Sequence, residues 1–139
     1  MDAAQIAQCL KEKGIRPTPH RISIYDNLCH RCDHPTVDMI FTDMRPQYPT
    51  LSRTTVYHTL DELARIGLVR TVTIDSVEIR YDADISLHGH FRCTGCGTLA
   101  DFPVAGGRLK GRGLEGYEIR TEDVYFTGLC PVCRKGRKS

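Results

Sequence analysis

SRTTVYHTLDELARIG (52–67), followed at once by LVRTVTIDSVEIRY (68–81), is the stretch on which the fold turns. Ser52 is a capping residue, Val56, Leu60 and Leu63 recur at helical spacing, and Gly67 marks the stop, so the first part reads as an amphipathic helix with one inward face. Leu68–Ile74 and Val77–Tyr81 are β-rich runs around Asp75-Ser76, which reads as a hairpin. A helix leading directly into a hairpin, with further helices before it, describes a winged helix, in which that helix enters the major groove of duplex DNA. Its outer face carries Arg53, Thr54, Tyr57 and His58, all residue types that contact phosphates or base edges. Taken alone, that face is equally consistent with a solvated helix surface; the hairpin tilts the balance towards DNA. Arg70 and Arg80, on the hairpin, would contact phosphate, although single arginines on strands also serve simply to solubilise.

Upstream, residues 2–13 read as a short amphipathic helix with Ile6 and Leu10 inward and Gly14 as its stop. Thr18-Pro19 supplies a cap and a first-turn proline for the next helix, where Ile22, Tyr25, Leu28 and Cys29 share a stripe. His34-Pro35 breaks that helix. Thr36 caps another, with Val37, Ile40, Phe41 and Met44 inward, and Pro46 and Pro49 end it.

Downstream from Ile85 the pattern changes to short strands: Leu87–Arg92, Thr98–Phe102, Glu118–Arg120 and Val124–Thr127. Within them lies HGHFRCTGCG (88–97). His88 and His90 fall on one face of a strand and can share one metal. Cys93 and Cys96, followed by Gly97, have the form of a zinc knuckle, and Cys130 and Cys133 form a second C-x-x-C. Two such pairs make a tetrahedral four-cysteine zinc site the leading reading. Thiolates favour Zn(II), whereas imidazoles suit Fe(II), Mn(II) or Zn(II), so two sites of different chemistry are expected. A third C-x-x-C, Cys29 and Cys32, lies in the helical half; these are expected to be buried or incidental thiols, and Cys9 a packing residue. Any helix in the Gly- and Arg-rich stretch 105–116 would be short, since glycine costs about 1 kcal/mol per helical position. The RKGRKS tail (134–139) reads as a disordered, solubilising end.

With 139 residues, 40% apolar and 26% charged, the chain has the composition of a soluble globular protein of one domain or two small ones. Each half would have a thin core, for which a structural metal and dimerisation are natural supplements. A net charge of +2 is too mild to argue nucleic-acid binding by itself. No apolar run suits a membrane span and MDAAQIAQ is not a signal peptide. Seven cysteines, an odd number with four in the zinc pairs, fit reduced thiols in a cytoplasm better than a disulfide framework.

RPTPHR (16–21), HPTVD (34–38), TVYHTL (55–60), HGHFRCTGCG (88–97) and CPVC (130–133) together resemble the ferric uptake regulator (Fur) family of metal-dependent repressors. The resemblance implies an α+β chain: an N-terminal winged helix-turn-helix DNA-binding domain over 1–82 with a hinge at its end, then a small α/β zinc-containing, metal-binding dimerisation domain over 83–139. It implies a homodimer on double-stranded operator DNA, gated by metal, and not an enzyme. Structural Zn(II) falls to Cys93, Cys96, Cys130 and Cys133. A regulatory Fe(II) or Mn(II) falls to His34, Asp82, His88, His90 and Asp101, three of which (His34, Asp82 and Asp101) carry no ligand signal of their own. Aspartate at 101 is similar to the family's peroxide-sensing branch (PerR), where iron-sensing members typically have glutamate; the implied sensing step is metal-catalysed oxidation of His34 or His88. Many members have a further metal site using an acidic residue between the two histidines and a later histidine. Here Gly89 and Glu122 stand in those places, so that site is expected to be absent or altered. The alternatives are a repressor of metal uptake responding to Fe(II) or Zn(II) without peroxide chemistry, a metalloenzyme, and a zinc-ribbon interaction module.

Overall fold

Four helices in the first part of the chain each begin on a side chain that satisfies a free backbone donor. α1 (Ala3–Glu12) starts with a reciprocal Asp2–Gln5 capping box. α2 (Pro19–Cys29), α3 (Val37–Met44) and α4 (Arg53–Arg65) start on Thr18, Thr36 and Ser52, each accepting from the N–H three residues on. Such a cap contributes about 1 kcal/mol. In the computed structural model, which describes residues 1–74, 77–104 and 113–136, the chain divides into two compact units, Met1–Ile85 and Ser86–Ser139. The division lies three residues beyond Asp82, and Ala83 still packs against the first unit's core.

That core is formed where the helical stripes meet: Ile6, Leu10, Ile24, Leu28, Ile40, Val56, Leu60 and Leu63 are essentially inaccessible. α4 ends with Gly67 at φ +81°, a left-handed position that glycine takes without penalty, and Leu68 N–H returns to the Leu63 carbonyl at 3.0 Å. The hairpin follows as β1 (Arg70–Val72) and β2 (Arg80–Asp82), antiparallel with Arg70 opposite Asp82 and Val72 opposite Arg80. These strands are shorter than the β-rich runs, and Val72 and Tyr81 are their buried residues. The expected turn at Asp75-Ser76 lies outside the described residues. Cys29 departs from the expected stripe and is exposed; the buried line of α2 runs through Ile24, Tyr25 and Leu28, and the helix ends at Cys29 itself. Cys32 is exposed and Cys9 is partly buried against the core.

The second unit is a three-stranded sheet of β3 (His88–Cys93), β4 (Leu99–Pro103) and β5 (Val124–Gly128), with β3 central, antiparallel to β4 and parallel to β5. Its pairing puts His90 opposite both Asp101 and Tyr125, and Gly89 opposite both Phe102 and Val124. One face therefore carries the histidines and Asp101, and the other carries Phe91, Phe102 and Phe126. Glu118–Arg120, expected as a strand, is not one: both charged ends are exposed and Arg120 turns back onto Glu118 at 3.1 Å. Of the tail expected to be disordered, residues 134–136 instead complete a short helix, α5 (Pro131–Gly136), entered through Pro131 at its first position. Residues 105–112 of the glycine-rich stretch and 137–139 of the tail lie outside the described residues. Among the described residues no helix is long and apolar enough to cross a membrane.

Candidate metal centres

The four thiols of the two C-x-x-C pairs meet at the end of the β3–β5 ladder. β3 delivers Cys93, and the turn after it is closed by Gly97 N–H to Cys93 O and Cys93 N–H to Thr98 O, both at 2.9 Å. Thr94 then ties this turn to the end of β5, its N–H and hydroxyl reaching the Gly128 carbonyl at 2.8 and 3.1 Å. That link sets Cys130 and the start of α5 beside the knuckle. All four sulfurs lie within 4.8 Å of one another. Gly95 is what lets them approach, since a Cβ there would stand 2.9 Å from Cys133 Sγ. The spacing motif advertised the cysteines; the role of Gly95, also within the motif, becomes visible only in the contact.

The local fields prepare these sulfurs for a cation. Backbone N–H groups of Cys130, at 3.3 Å, and Cys96, at 3.5 Å, point at Cys93 Sγ and draw its pKa down to about 6. The Thr98 hydroxyl, 3.1 Å from Cys96 Sγ, lowers that thiol as well. Cys133, surrounded by the sulfurs of Cys93, Cys130 and Cys96, is pushed up to about 12. Thiolates this close repel one another, and a divalent ion is what allows all four to ionise together. The donor set fits zinc.

The imidazoles and carboxylates form two groups, one in each unit. In the second unit His90 Nε2 lies 3.5 Å and His88 Nε2 3.9 Å from oxygens of Asp101. The two rings are 4.6 Å apart between centroids and both residues are buried, whereas the Asp101 carboxylate is 44% exposed. His88 Nδ1 is 2.8 Å from the Ser86 carbonyl. A carbonyl only accepts, so the ring proton belongs on Nδ1 and the Nε2 lone pair faces Asp101. Tyr125 packs edge-on against His90 at 5.8 Å. In the first unit His34 Nε2 lies 3.6 Å from Asp82 Oδ2, both side chains being largely buried, while Asp82 Oδ1 accepts from Asp84 N–H at 2.9 Å. Atoms bound to one ion at about 2.0–2.2 Å stand about 3.0–3.6 Å apart, so these separations, too long for good hydrogen bonds, are close to those of ligands sharing an ion.

Two positions singled out in the sequence acquire partners in the structure. The guanidinium of Arg80, read from the sequence as a phosphate contact, donates to the His34 carbonyl at 3.0 Å. Gly89 is covered by Phe102, whose ring atoms would stand 2.1–2.6 Å from any Cβ there, and Phe102 in turn stacks on Phe126. An acidic side chain at 89 would have to displace that ring. On α4, Arg53, Thr54, Tyr57 and His58 are all exposed. Arg53 rests 4.6 Å over the Phe41 ring and its Nε contacts Asp38 at 2.5 Å; Tyr57 and His58 meet edge to face.

Residues 12–113 match the model of the ferric uptake regulator family. The chain is 32% identical over 132 residues to the peroxide operon regulator of Bacillus subtilis, covering 92% of this chain and 90% of that one. It superposes on the Streptococcus pyogenes PerR structure, a study of peroxide sensing and gene regulation, with a TM-score of 0.55 at 32% identity, covering 96% and 94% of the two chains. The Helicobacter pylori ferric uptake regulator, a protein with three functional metal-binding sites, gives a TM-score of 0.72 over 96% and 95%; at 17% identity this likeness carries the fold alone.

Proposed function

Because the chain belongs to the ferric uptake regulator family, we propose that it is a metal-dependent transcriptional repressor that binds duplex operator DNA as a homodimer and responds to peroxide. Residues 1–82 serve as the DNA-binding domain, with α4 presenting Arg53, Thr54, Tyr57 and His58 to the major groove, and 83–139 as the dimerisation domain. Zn(II) on Cys93, Cys96, Cys130 and Cys133 is structural. Fe(II) or Mn(II) on His34, Asp82, His88, His90 and Asp101 is regulatory. The protein works in the cytoplasm, where thiols remain reduced. It turns over no substrate.

The observation that carries this reading is the His88–His90–Asp101 group, two buried imidazoles whose Nε2 atoms face one aspartate, with the proton of His88 placed on Nδ1 by the Ser86 carbonyl. Aspartate rather than glutamate at 101, together with relatives named as peroxide regulators, supports the peroxide branch over a metal-uptake repressor. An ion taking ligands from residues on both sides of the hinge favours one arrangement of the domains, and a few kcal/mol of preference shifts a two-state population by orders of magnitude. By reciprocity, operator DNA tightens metal binding. Fe(II) held by these residues would supply redox activation of the peroxide O–O bond, with peroxide as the net two-electron oxidant of a ligand ring and water as its product. His34 and His88 hold the ring positions open to that oxidation, and an oxidised ring ligates poorly.

The test exposes the Fe(II)-loaded protein, bound to a duplex selected by the protein itself, to peroxide and maps its peptides. One added oxygen on His34 or His88, rising with release from DNA, is the expected result. Release without modification of either histidine would sink the oxidation step. Release on chelation but never on peroxide would return the chain to the metal-uptake reading.

A further inference from the structure

Three successive residues of β2 hold the His34–Pro35 junction. Asp82 sets a carboxylate oxygen 3.6 Å from His34 Nε2. Tyr81 donates its backbone N–H to the Pro35 carbonyl at 3.0 Å. Arg80 donates from its guanidinium to the His34 carbonyl, also at 3.0 Å. Alternation along the strand puts Arg80 and Asp82 on one face and the buried Tyr81 on the other. Both ends of His34, carbonyl and ring, are thus addressed from the same edge of the hairpin.

His34 needs such support. Its φ is +53°, and among the described residues it is the one non-glycine position in the left-handed region. A Cβ in that region crowds the neighbouring carbonyl, and such conformations persist only where the surroundings over-determine them. The following Pro35 disfavours the ordinary right-handed alternative. A hydrogen bond from a guanidinium is of the stronger, charge-assisted class. It falls on the carbonyl whose direction the unusual φ sets.

We propose that Arg80 is a positioning residue for the regulatory ion: it touches no metal but holds His34 in the backbone conformation from which the imidazole ligates. This rests on the reading of His34 and Asp82 as ligands. The expected sign is diagnostic. A guanidinium acting only through its charge would repel a nearby divalent cation, so its removal would tighten metal binding. A positioning residue has the opposite effect, and loss of an outer partner of a ligand typically weakens affinity about 10–100-fold.

The experiment titrates full-length, zinc-loaded protein with Mn(II), following free and bound Mn(II) by electron paramagnetic resonance, for wild type, Arg80→Met, Arg80→Lys and His34→Ala. Zinc content and thermal midpoint are measured alongside, and titrations are run below the lowest midpoint. Methionine keeps an apolar stem and loses the donors; lysine keeps a charged donor. The proposal expects Arg80→Met to weaken Mn(II) binding about 10–100-fold with zinc retained, Arg80→Lys to recover most of it, and His34→Ala to lose more than either. Unchanged or tighter Mn(II) binding in Arg80→Met, with His34→Ala defective, overturns the role of Arg80 and leaves the ligand reading intact. Mn(II) binding indifferent to His34→Ala overturns the ligand reading, and the proposal with it. A loss in Arg80→Met that tracks a lowered midpoint and is not recovered by lysine marks a merely structural residue, and also overturns it.

Discussion

The two units reach their folds by different physics. In the first, four capped helices turn their apolar stripes onto a shared core, and side chains from Ile6 to Leu68 leave water almost completely. In the second, Cys93 and Val124 are the buried apolar residues among those described, while Phe126, Val132 and Tyr117 stay largely exposed. What gathers its strands and α5 is a cluster of four sulfurs and the hydrogen bonds around it. The contrast ties the stability of the first unit to hydrophobic burial and, on the proposed zinc site, that of the second to metal ligation, so each should fail under a perturbation the other survives.

Removing zinc should have the largest effect. Structural zinc contributes on the order of 10 kcal/mol or more to small metal-dependent folds, and Cys96→Ser or strong chelation should therefore melt the β3–β5 sheet. The α1–α4 helices belong to the first unit, so far-UV circular dichroism should keep most of its helical signal while amide exchange of residues 88–103 becomes fast. Simultaneous loss of the helices would break the comparison. The converse perturbation is Leu60→Ala, which empties a fully buried site on α4. Such truncations cost about 2–5 kcal/mol, and denaturant melts should show that loss in the helical transition with zinc content unchanged.

A smaller and more selective effect is expected from His34→Ala. It should retain zinc and the helical melt but lose at least about tenfold in Mn(II) affinity, on the scale of disturbed metal-site ligands. A fall in zinc content instead would show that the two metal sites are not separable. The smallest change should come from Arg53→Ala. Its exposed pair with Asp38 is worth at most about 1 kcal/mol, so stability should barely move. Operator affinity should still drop, and the slope of its logarithm against the logarithm of salt should flatten by about one phosphate contact. An unchanged slope would remove Arg53 from the phosphate-binding face.

Arg80 shows where sequence reasoning meets its limit. From the chain it is one more cation on a β-rich run, for which the sequence suggests an outward role on the hairpin. The carbonyl it bonds lies 46 positions earlier, and no periodicity or spacing connects the two. Cys29 is the complementary case. Helical spacing puts it on the inward stripe, but α2 ends there, and a thiol at the last helical position is exposed rather than covered by the stripe that precedes it.

Local patterns in the sequence by themselves determined the four capped helices, the hairpin after α4, and the pairing of Cys93-x-x-Cys96 with Cys130-x-x-Cys133. Caps, helical stripes and knuckles are settled by groups within a few residues of one another, so their chemistry can be read along the chain. Tertiary structure alone decided that Gly95 admits Cys133, that Asp101 lies opposite His90, and that His34 is turned left-handed between Arg80 and Asp82. These depend on strand register and on contacts between distant segments, which the backbone must first bring together before any side chain can act on them.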